Sequence, residues 1–347
     1  MTGNKRLGKE EVIVFPTDTV PGIGCFLSTE CVEKLRRLTK RPKNKPFAIL
    51  LSDEKDIEKW VLLIPPCYHK LSGFLPGPLT LIFKGKNTLP QGVLSKNGTV
   101  GIRIPDYKPV RDLIRDAGMP LIATSANPSG KGIPHEIDEV KLEYDRLITG
   151  SGGSGRSSTV LDISGKLPVL LRNGEISIIE IEKAIKEEIL VTKGIPIHIL
   201  YVCSANICRS PMAEEHLKSL TKDLSNIEAR SAGTIAIYGI SPSIGAKKTL
   251  EECNIETHHL SVPVAKPVLM WADFIFIMEE KHKDYLTDLS PESKGKIVFL
   301  RNFKDNSRPR EIEDPIGKGI ETYRMVFSEI ERANKRIVAY LRRKFQY

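Results

Sequence analysis

Cysteine is scarce: six residues in a chain of 347, with no C-x2-C pair among them. That excludes the disulfide framework of a small secreted scaffold and the ligand spacing of a structural zinc site, so the thiols are read as free. Long apolar runs are missing as well. None approaches the roughly 20 residues a membrane-spanning helix needs. The opening "MTGNKRLGKEEVIVFPTDT" is polar before it turns apolar and lacks the core of a signal peptide. The expectation is a cytoplasmic protein with no membrane partner. No internal repeat relates the two halves. Acidic residues are the minority charge, 43 against 52 basic, for a net charge of +9. A basic balance favours phosphate-bearing partners such as nucleotides, RNA or phosphoproteins, provided a chemical site also requires phosphate.

At this length a single hydrophobic core rarely serves, and two domains are expected. The segment "GSGGSGRSST", residues 150–159, looks like a flexible linker, yet strand-like "TVLDI" and "LPVLLRNGEI" follow at once, so it reads equally as a lid over a site. A better boundary lies near 190–196, after the closing helix "ISIIEIEKAIKEEIL", and it gives domains 1–190 and 196–347. Beyond it strands and helices alternate: a strand at 198–202, a helix from about 211, "IEARSAGT", a serine-capped helix in "SPSIGAKKTLEECNI", "ADFIFIME", "KIVFL", and a terminal helix over 319–345. That alternation predicts an α/β fold with a doubly wound parallel sheet and any ligand at the carboxyl ends of its strands.

The first such strand runs into "CSANICRSP". Cys203 to Arg209 is C-x5-R. The backbone N–H groups of Ser204, Ala205, Asn206, Ile207 and Cys208 can curl into an anion-binding nest, closed by a helix beginning near Ser210. A helix N-terminus and a nearby cation both favour the thiolate of Cys203, the form that acts as a nucleophile. Arg209 can grip two phosphate oxygens at once. Ser210 can donate to the sulfur, and Asn206 tolerates the left-handed backbone such a loop needs. A phosphocysteine route also requires an acid for the leaving oxygen and a base for water; Asp314, in "EIEDPIGKG", is the candidate. An Asp before Pro is by itself usually a turn residue.

In the first half, "VIVFPTDTVPGIGC" is an apolar strand entering a loop whose Thr17 and Thr19 hydroxyls can bind a small polar ligand. A helix capped at Ser28 or Thr29 ends in the basic run Lys40, Arg41, Lys43, Lys45, which precedes a strand and could line a cleft. "PGPLTLIFKG", "GTVGIRIPD" and "PLIATSANPSGKG" are strands ending in small polar turns, so several strand ends are expected to converge on one pocket. Arg103, inside an apolar strand, needs an anionic partner if buried. Ser125, Asn127, Ser158, Thr159 and Arg172 complete a set of hydroxyls, an amide and cations without an evident nucleophile. Such a set suits activation by positioning, as in nucleotide-dependent adenylylation.

The second half resembles the low-molecular-weight protein tyrosine phosphatase family, whose CxGNxCRS loop and late Asp-Pro pair appear here as "CSANICRSP" and Asp314–Pro315. The resemblance implies Cys203 as nucleophile, Arg209 as phosphate binder and Asp314 as general acid, no cofactor, and a phosphorylated protein as substrate. It also implies that Cys208 can trap an oxidised Cys203 as a disulfide. The usual glycine is Ala205, which would be strained if that position needs positive φ. Ile316 and Gly317 stand where tyrosine-specific members often carry aromatics. Phosphoarginine-directed relatives share a small threonine where this chain has Ile207, so phosphotyrosine is the first choice and phosphoarginine the second. Arsenate reductases share the loop but need a further cysteine pair; only Cys253 lies downstream.

The first half is similar, in order, to the threonylcarbamoyl-AMP synthase (YrdC-like) family: "PTDTVPGIG", "TKRPKNKPF", "PGPLT", "VGIRIP", "SAN", "STV" and "RNG". The resemblance implies a twisted mixed sheet around a basic cavity. The substrates would be L-threonine, bicarbonate and ATP with Mg2+, pyrophosphate would be released, and there would be no protein-bound metal. tRNA and tRNA-modification proteins would follow as indirect partners. Thr17, Thr19 and Ser125 would lie near threonine; Arg41, Arg103, Asn127, Ser158 and Arg172 near nucleotide or carboxylate. The family lysine falls at Thr39, with Lys40 beside it, and the family tyrosine of VYG is Pro21. A histidine often found after the next strand is missing, and the leading segment looks short. The whole reads as a bifunctional enzyme, a nucleotidyltransferase joined to a phosphatase. The alternative is a phosphatase carrying a non-catalytic RNA- or nucleotide-binding module.

Overall fold

A computed structural model describes residue 8 and residues 10–305 and 310–345; most of the opening segment judged for a signal peptide lies outside the described residues. The chain divides into two compact units, Met1–Ile176 with Ile181–Ile189, and Ser177–Glu180 with Leu190–Tyr347.

In the first unit the chain forms β1 (Ile13–Phe15), β2 (Gly22–Phe26), α1 (Thr29–Thr39), β3 (Ala48–Leu50), α2 (Tyr68–Leu71), β4 (Leu79–Lys84), β5 (Thr99–Arg103), α3 (Lys108–Ala117), β6 (Leu121–Ser125), β7 (Arg146–Leu147), β8 (Thr159–Asp162) and β9 (Val169–Arg172). The strands lie in the order β9-β8-β4-β5-β3-β6-β2-β1-β7. Pairing is mixed: β3/β5 and β4/β8 are parallel, β2/β6 and β4/β5 antiparallel. Apolar residues on the strands and on α3 close one core around Ile13, Phe15, Leu50, Val110, Ile114 and Leu121. Each such side chain, once buried, contributes about 1.5–3 kcal/mol. α1 is amphipathic because Cys31, Val32, Leu35 and Thr39 recur at helical spacing and are buried. Ser28 caps it, accepting from the Cys31 N–H at 3.0 Å.

The turn from β2 into α1 brings the Cys25 and Cys31 Cα atoms within 6.1 Å, and the structure joins these two cysteines in a disulfide. That distance is ordinary for a disulfide. The expectation of six free thiols is thereby corrected: Cys67, Cys203, Cys208 and Cys253 are free.

The Gly/Ser-rich segment lies within the first unit. Ser154 and Gly155 donate backbone hydrogen bonds to the Asp18 and Thr19 carbonyls at 3.2 and 2.8 Å. A Cβ at Gly153 would stand 2.1 Å from the Asp18 carbonyl carbon, so only glycine permits this approach. The reading of 150–159 as a linker gives way to a strap held against the Thr17–Thr19 loop.

After α4 (Ile178–Ile185) and β10 (Leu190–Val191), the second unit forms β11 (Ile197–Cys203), α5 (Arg209–Leu220), β12 (Ile227–Gly233), α6 (Ile244–Glu252), α7 (Lys266–Trp271), β13 (Phe274–Ile277), α8 (Glu280–Leu289), β14 (Ile297–Phe299) and α9 (Ile320–Lys344). Its sheet is wholly parallel in the order β12-β11-β13-β14. Leu200, Val202, Ile275 and Ile277 pack with Leu269 and Leu286 from α7 and α8. The order reverses at β11, where neighbouring crossovers leave on opposite faces and a crevice opens at the strand ends. Cys203 is the last residue of β11.

Candidate active sites

The carboxyl end of β11 passes directly into α5, and the loop between them is anchored from below. Asn206 takes the left-handed conformation, φ 57°, whereas Ala205 has no positive φ, so the feared strain at Ala205 does not arise. The Asn206 side chain holds the turn: Nδ2 donates to Ser210 Oγ at 2.9 Å and Ser231 Oγ at 2.8 Å, while Oδ1 accepts from the Val262 N–H at 2.8 Å. Glu214 accepts from Ser231 at 2.6 Å and completes the support. Gly233 allows the loop to settle here, since a Cβ would come within 2.5 Å of the Ser204 carbonyl and 2.9 Å of the Asn206 nitrogen. Among the described residues, the N–H groups of Ala205, Asn206, Ile207 and Cys208 donate to no backbone acceptor. They remain available to an anion.

Cys203 Sγ lies 2.9 Å from Ser210 Oγ. Because that oxygen already accepts from Asn206, its own hydrogen is free to point at the sulfur. Arg209 is buried, 1% exposed. Its Nη1 donates to Glu279 at 2.5 Å and to the Ile312 carbonyl at 3.0 Å, its Nη2 donates to Asp314, and its Nε is buried without a partner. An orphaned donor on a fixed guanidinium is an anion contact waiting to be made. Burial works against the Glu279 carboxyl, but Lys281 and Arg209 outweigh it and hold it below the usual carboxylate range. His282 accepts from the Glu279 N–H through Nδ1 at 3.1 Å, so its Nε2 carries the hydrogen offered to Ser204 Oγ at 3.0 Å. Burial and then the Arg209 charge push this imidazole down to about 4. Cys208 Sγ sits 3.2 Å from Ser243 Oγ and 3.6 Å from Tyr323 Oη, and burial raises its pKa.

In the first unit a cavity gathers Thr17, Arg41, Arg103, Ser125, Ser158 and Arg172, with Phe15 and Phe47 among its apolar walls. Arg103 meets the expected anion: Nη2 lies 2.6 Å from Asp18 and 2.8 Å from Thr19 Oγ1, while Nε is buried and unpaired. Arg41 donates to the Lys45 and Pro46 carbonyls and to Thr124 Oγ1 at 3.0, 2.8 and 3.1 Å. Arg172 donates to Ser158 Oγ at 2.8 Å, and Ser158 pairs with Thr80 at 2.9 Å. Desolvation, then the charges of Arg103 and Arg41, bring Arg172 down to about 10, although solvent still reaches it. Three guanidiniums thus share one cavity whose lining includes no carboxylate.

Comparison with known proteins agrees with this geometry. Residues 5–174 match the Sua5/YciO/YrdC family model, described as telomere recombination, and residues 198–347 match the low-molecular-weight phosphotyrosine protein phosphatase model. A threonylcarbamoyl-AMP synthase of Bacillus subtilis is 37% identical over 56% of this chain, which spans 56% of that relative's own length. The synthase of Marinobacter nauticus is 30% identical over 44% of this chain and 84% of its own length. A protein-arginine-phosphatase of Geobacillus stearothermophilus is 39% identical over 39% of this chain and 90% of its own length. This chain belongs to both families.

Within the synthase half, Thr17, Arg41, Arg103, Ser125, Ser158 and Arg172 come together, and Asn127 lines a recess beside them. Thr19 is buried one hydrogen bond away, on Arg103. Two expected residues stand apart. Lys40 ends α1 in the left-handed conformation, φ 48°, exposed and lining neither space. Thr159 is fully buried and donates to the Ile176 carbonyl at 2.7 Å, a structural role. Lys45, of the basic run expected to line a cleft, lines the neighbouring recess, while Thr80, Ser157, Thr124 and Lys131 were not singled out, although Thr80 stands in the "PGPLT" segment. Within the phosphatase half, Cys203, Arg209, Ser210, Asn206 and Asp314 converge as expected, while Glu279 and His282 were missed.

Proposed function

We propose that residues 1–190 and 196–347 act as two catalytic domains of one cytoplasmic enzyme. The first carries out ATP-dependent formation of threonylcarbamoyl-AMP, with release of pyrophosphate and water from L-threonine, bicarbonate and ATP. The observation that carries this reading is the convergence of Arg41, Arg103 and Arg172 on one cavity without a lining carboxylate. Asp18 already neutralises Arg103, whereas Arg41 and Arg172 meet no lining carboxylate and repel one another until an anion enters. Arg103, fixed by Asp18 and holding a spare Nε, takes the threonine carboxylate, with Thr17 and Ser125 nearby. Arg41, Arg172, Ser158 and Asn127 take the nucleotide. Mg2+ would travel on the ATP phosphates as part of the substrate. The product then passes through partner proteins to tRNA. ATP–pyrophosphate exchange that depends on threonine and bicarbonate tests this. No exchange above background retires it, and leaves the first half as a nucleotide- or RNA-binding module, a reading that Thr39 favours.

The second domain hydrolyses phosphotyrosine-type monoesters. Arriving phosphate accepts from the loop N–H groups and from Arg209 Nε and Nη2, replacing Asp314 on the guanidinium. Glu279 and the Ile312 carbonyl keep the arginine in place during that exchange. Cys203 Sγ attacks phosphorus, the ester P–O bond breaks, and the released Asp314, protonated, gives its hydrogen to the departing oxygen. Asp314 then takes a proton from water, which attacks phosphorus and breaks the P–S bond to yield phosphate and thiolate. Ser210 stabilises the thiolate in both halves of the cycle. Ile235, Ile237, Tyr238, Ile240, Ile244 and Ile316 are exposed around the loop, and residues 233–245 include no charged residue. This apolar collar suits a phenyl ring better than a guanidinium. Phosphoarginine is the second reading, favoured by the Geobacillus relative. Hydrolysis of p-nitrophenyl phosphate is expected and should fall at least about 10³-fold in Cys203→Ser; retained activity would exclude the cysteine route. Phosphotyrosine and phosphoarginine peptides, assayed on wild type and Ile207→Thr, separate the two substrates.

A further inference from the structure

The phosphate loop is held by its carbonyls. In a trans peptide the C=O and the N–H point opposite ways, so a carbonyl anchored outward turns the next N–H inward. The Cys203 and Ser204 carbonyls accept from the Thr234 and Ile235 N–H groups, both at 3.0 Å, and the Asn206 carbonyl accepts from His259 Nε2 at 3.1 Å. The Ile207 carbonyl accepts from the Ser243 N–H at 2.9 Å. That last anchor aims the Cys208 N–H, and it comes from the residue that caps α6. One hydrogen bond fixes the carbonyl end of this peptide; the Cys208 side chain fixes the other end.

Ser243 Oγ accepts from the Ala246 N–H at 3.3 Å and donates its single hydrogen to Tyr323 Oη at 3.2 Å. Cys208 Sγ lies 3.2 Å from Ser243 Oγ and 3.6 Å from Tyr323 Oη. With the serine hydrogen committed, the thiol must donate to Ser243 Oγ and the phenol to Cys208 Sγ. The three groups close a ring in which each donates once and accepts once. The ring needs a hydrogen on the sulfur, and burial, which raises the Cys208 pKa, keeps it there. Cys203 is the neighbour that must ionise; a second thiolate in the same nest would compete with phosphate for its N–H groups. Tyr323 is built for this place. It is buried in the first turn of α9, and among the described residues its hydroxyl has no other partner. A Cβ at Gly245 of α6 would stand 2.6 Å from the Tyr323 ring, so the ring lies directly on that glycine.

We infer that Tyr323 is a positioning residue of the phosphatase half: together with Ser243 it fixes the Cys208 side chain, and so holds the Cys208 N–H on the phosphate. The inference rests on the phosphatase reading and adds α9 to the elements that shape its loop. The tyrosine acts through Cys208 and not on the reacting atoms. Tyr323→Phe keeps the ring on Gly245 and deletes only the hydroxyl, which opens the ring of hydrogen bonds and leaves the Ile207 carbonyl with its single anchor.

The test uses the full chain and inorganic phosphate, read as a competitive inhibitor of p-nitrophenyl phosphate hydrolysis. Tyr323→Phe should raise the phosphate inhibition constant about fivefold, the worth of one neutral hydrogen bond. Hydrogen exchange of the Ser243 N–H, which sits on the Ile207 carbonyl, should speed by a similar factor. In Cys208→Ala the same tyrosine substitution should have no effect on the inhibition constant, because the group it acts through is gone. Cys208→Ser, whose hydroxyl can rejoin the ring, should restore the sensitivity, which a merely structural tyrosine would not do. An unchanged inhibition constant in Tyr323→Phe overturns the inference. So does a fivefold effect that persists in Cys208→Ala, which would place the action of Tyr323 elsewhere. If wild type neither hydrolyses the ester nor binds phosphate, the phosphatase reading fails; Ser243 exchange in Tyr323→Phe still decides the ring, and an unchanged rate overturns it.

Discussion

His282 is neutral at neutral pH because its surroundings would strand the charged form. It is fully buried, faces the Arg209 charge, and must keep Nδ1 free to accept from Glu279. Its pKa is about 4 in the folded protein against about 6.5 in an unfolded chain. The unfolded state therefore binds the extra proton first as pH falls. The resulting stability is complete above about 6.5 and is lost as pH drops toward 4, by about 3 kcal/mol. Glu279 and Glu214, both held below the ordinary carboxylate range, extend the loss to lower pH. In urea denaturation of the second unit, wild type should weaken more steeply between pH 6.5 and 4 than His282→Asn, which keeps a donor and an acceptor without the titration. Parallel curves for the two proteins would show that the imidazole is not the responsible group. Nothing in "MEEKHKDYL" advertises this histidine: it reaches the phosphate loop only because β13 lies beside β11 in the sheet.

At the level of elements, the phosphate loop was legible because its parts are contiguous. A strand, a nest and a helix follow one another in nine residues of sequence, and local chain geometry brings the cysteine and arginine together. Glu279 was not legible, since it joins its site through a strand neighbour distant in the chain, and the pairing of Thr80 with Ser158 was not legible either, since it depends on β4 lying beside β8. Lys40 misled in the opposite way: the correct residue type stands one position past the helix, where the backbone reverses hand. The strand β12 offers the sharpest element-scale test. Gly233 closes it in contact with the loop, and a larger side chain must push against the Ser204 carbonyl and the Asn206 nitrogen, both backbone. Gly233→Val should lower kcat for p-nitrophenyl phosphate by at least about tenfold, a barrier change of 1.4 kcal/mol or more, while the exchange activity of the first half stays unchanged. Full phosphatase activity in that variant would mean the loop does not depend on the close approach.

For the whole molecule, two compact units with separate cores imply two cooperative transitions rather than one. Calorimetry of the full chain should show one transition raised by threonine with ATP and another raised by inorganic phosphate. Ligand at a hundred times its Kd adds about 2.7 kcal/mol to the unit that binds it. A single transition responding equally to both would count against separate cores. The glycine-rich strap has a bearing on how such a chain is handled at the bench. Anyone dividing the gene by eye would cut at its most pliable-looking stretch, between residues 150 and 156. That cut would sever the cover of the Thr17–Thr19 turn and strand β8 and β9, with Ser158 and Arg172, on the wrong fragment. Neither piece should retain nucleotide chemistry, whereas a cut beyond residue 190 leaves every group of that pocket on one polypeptide.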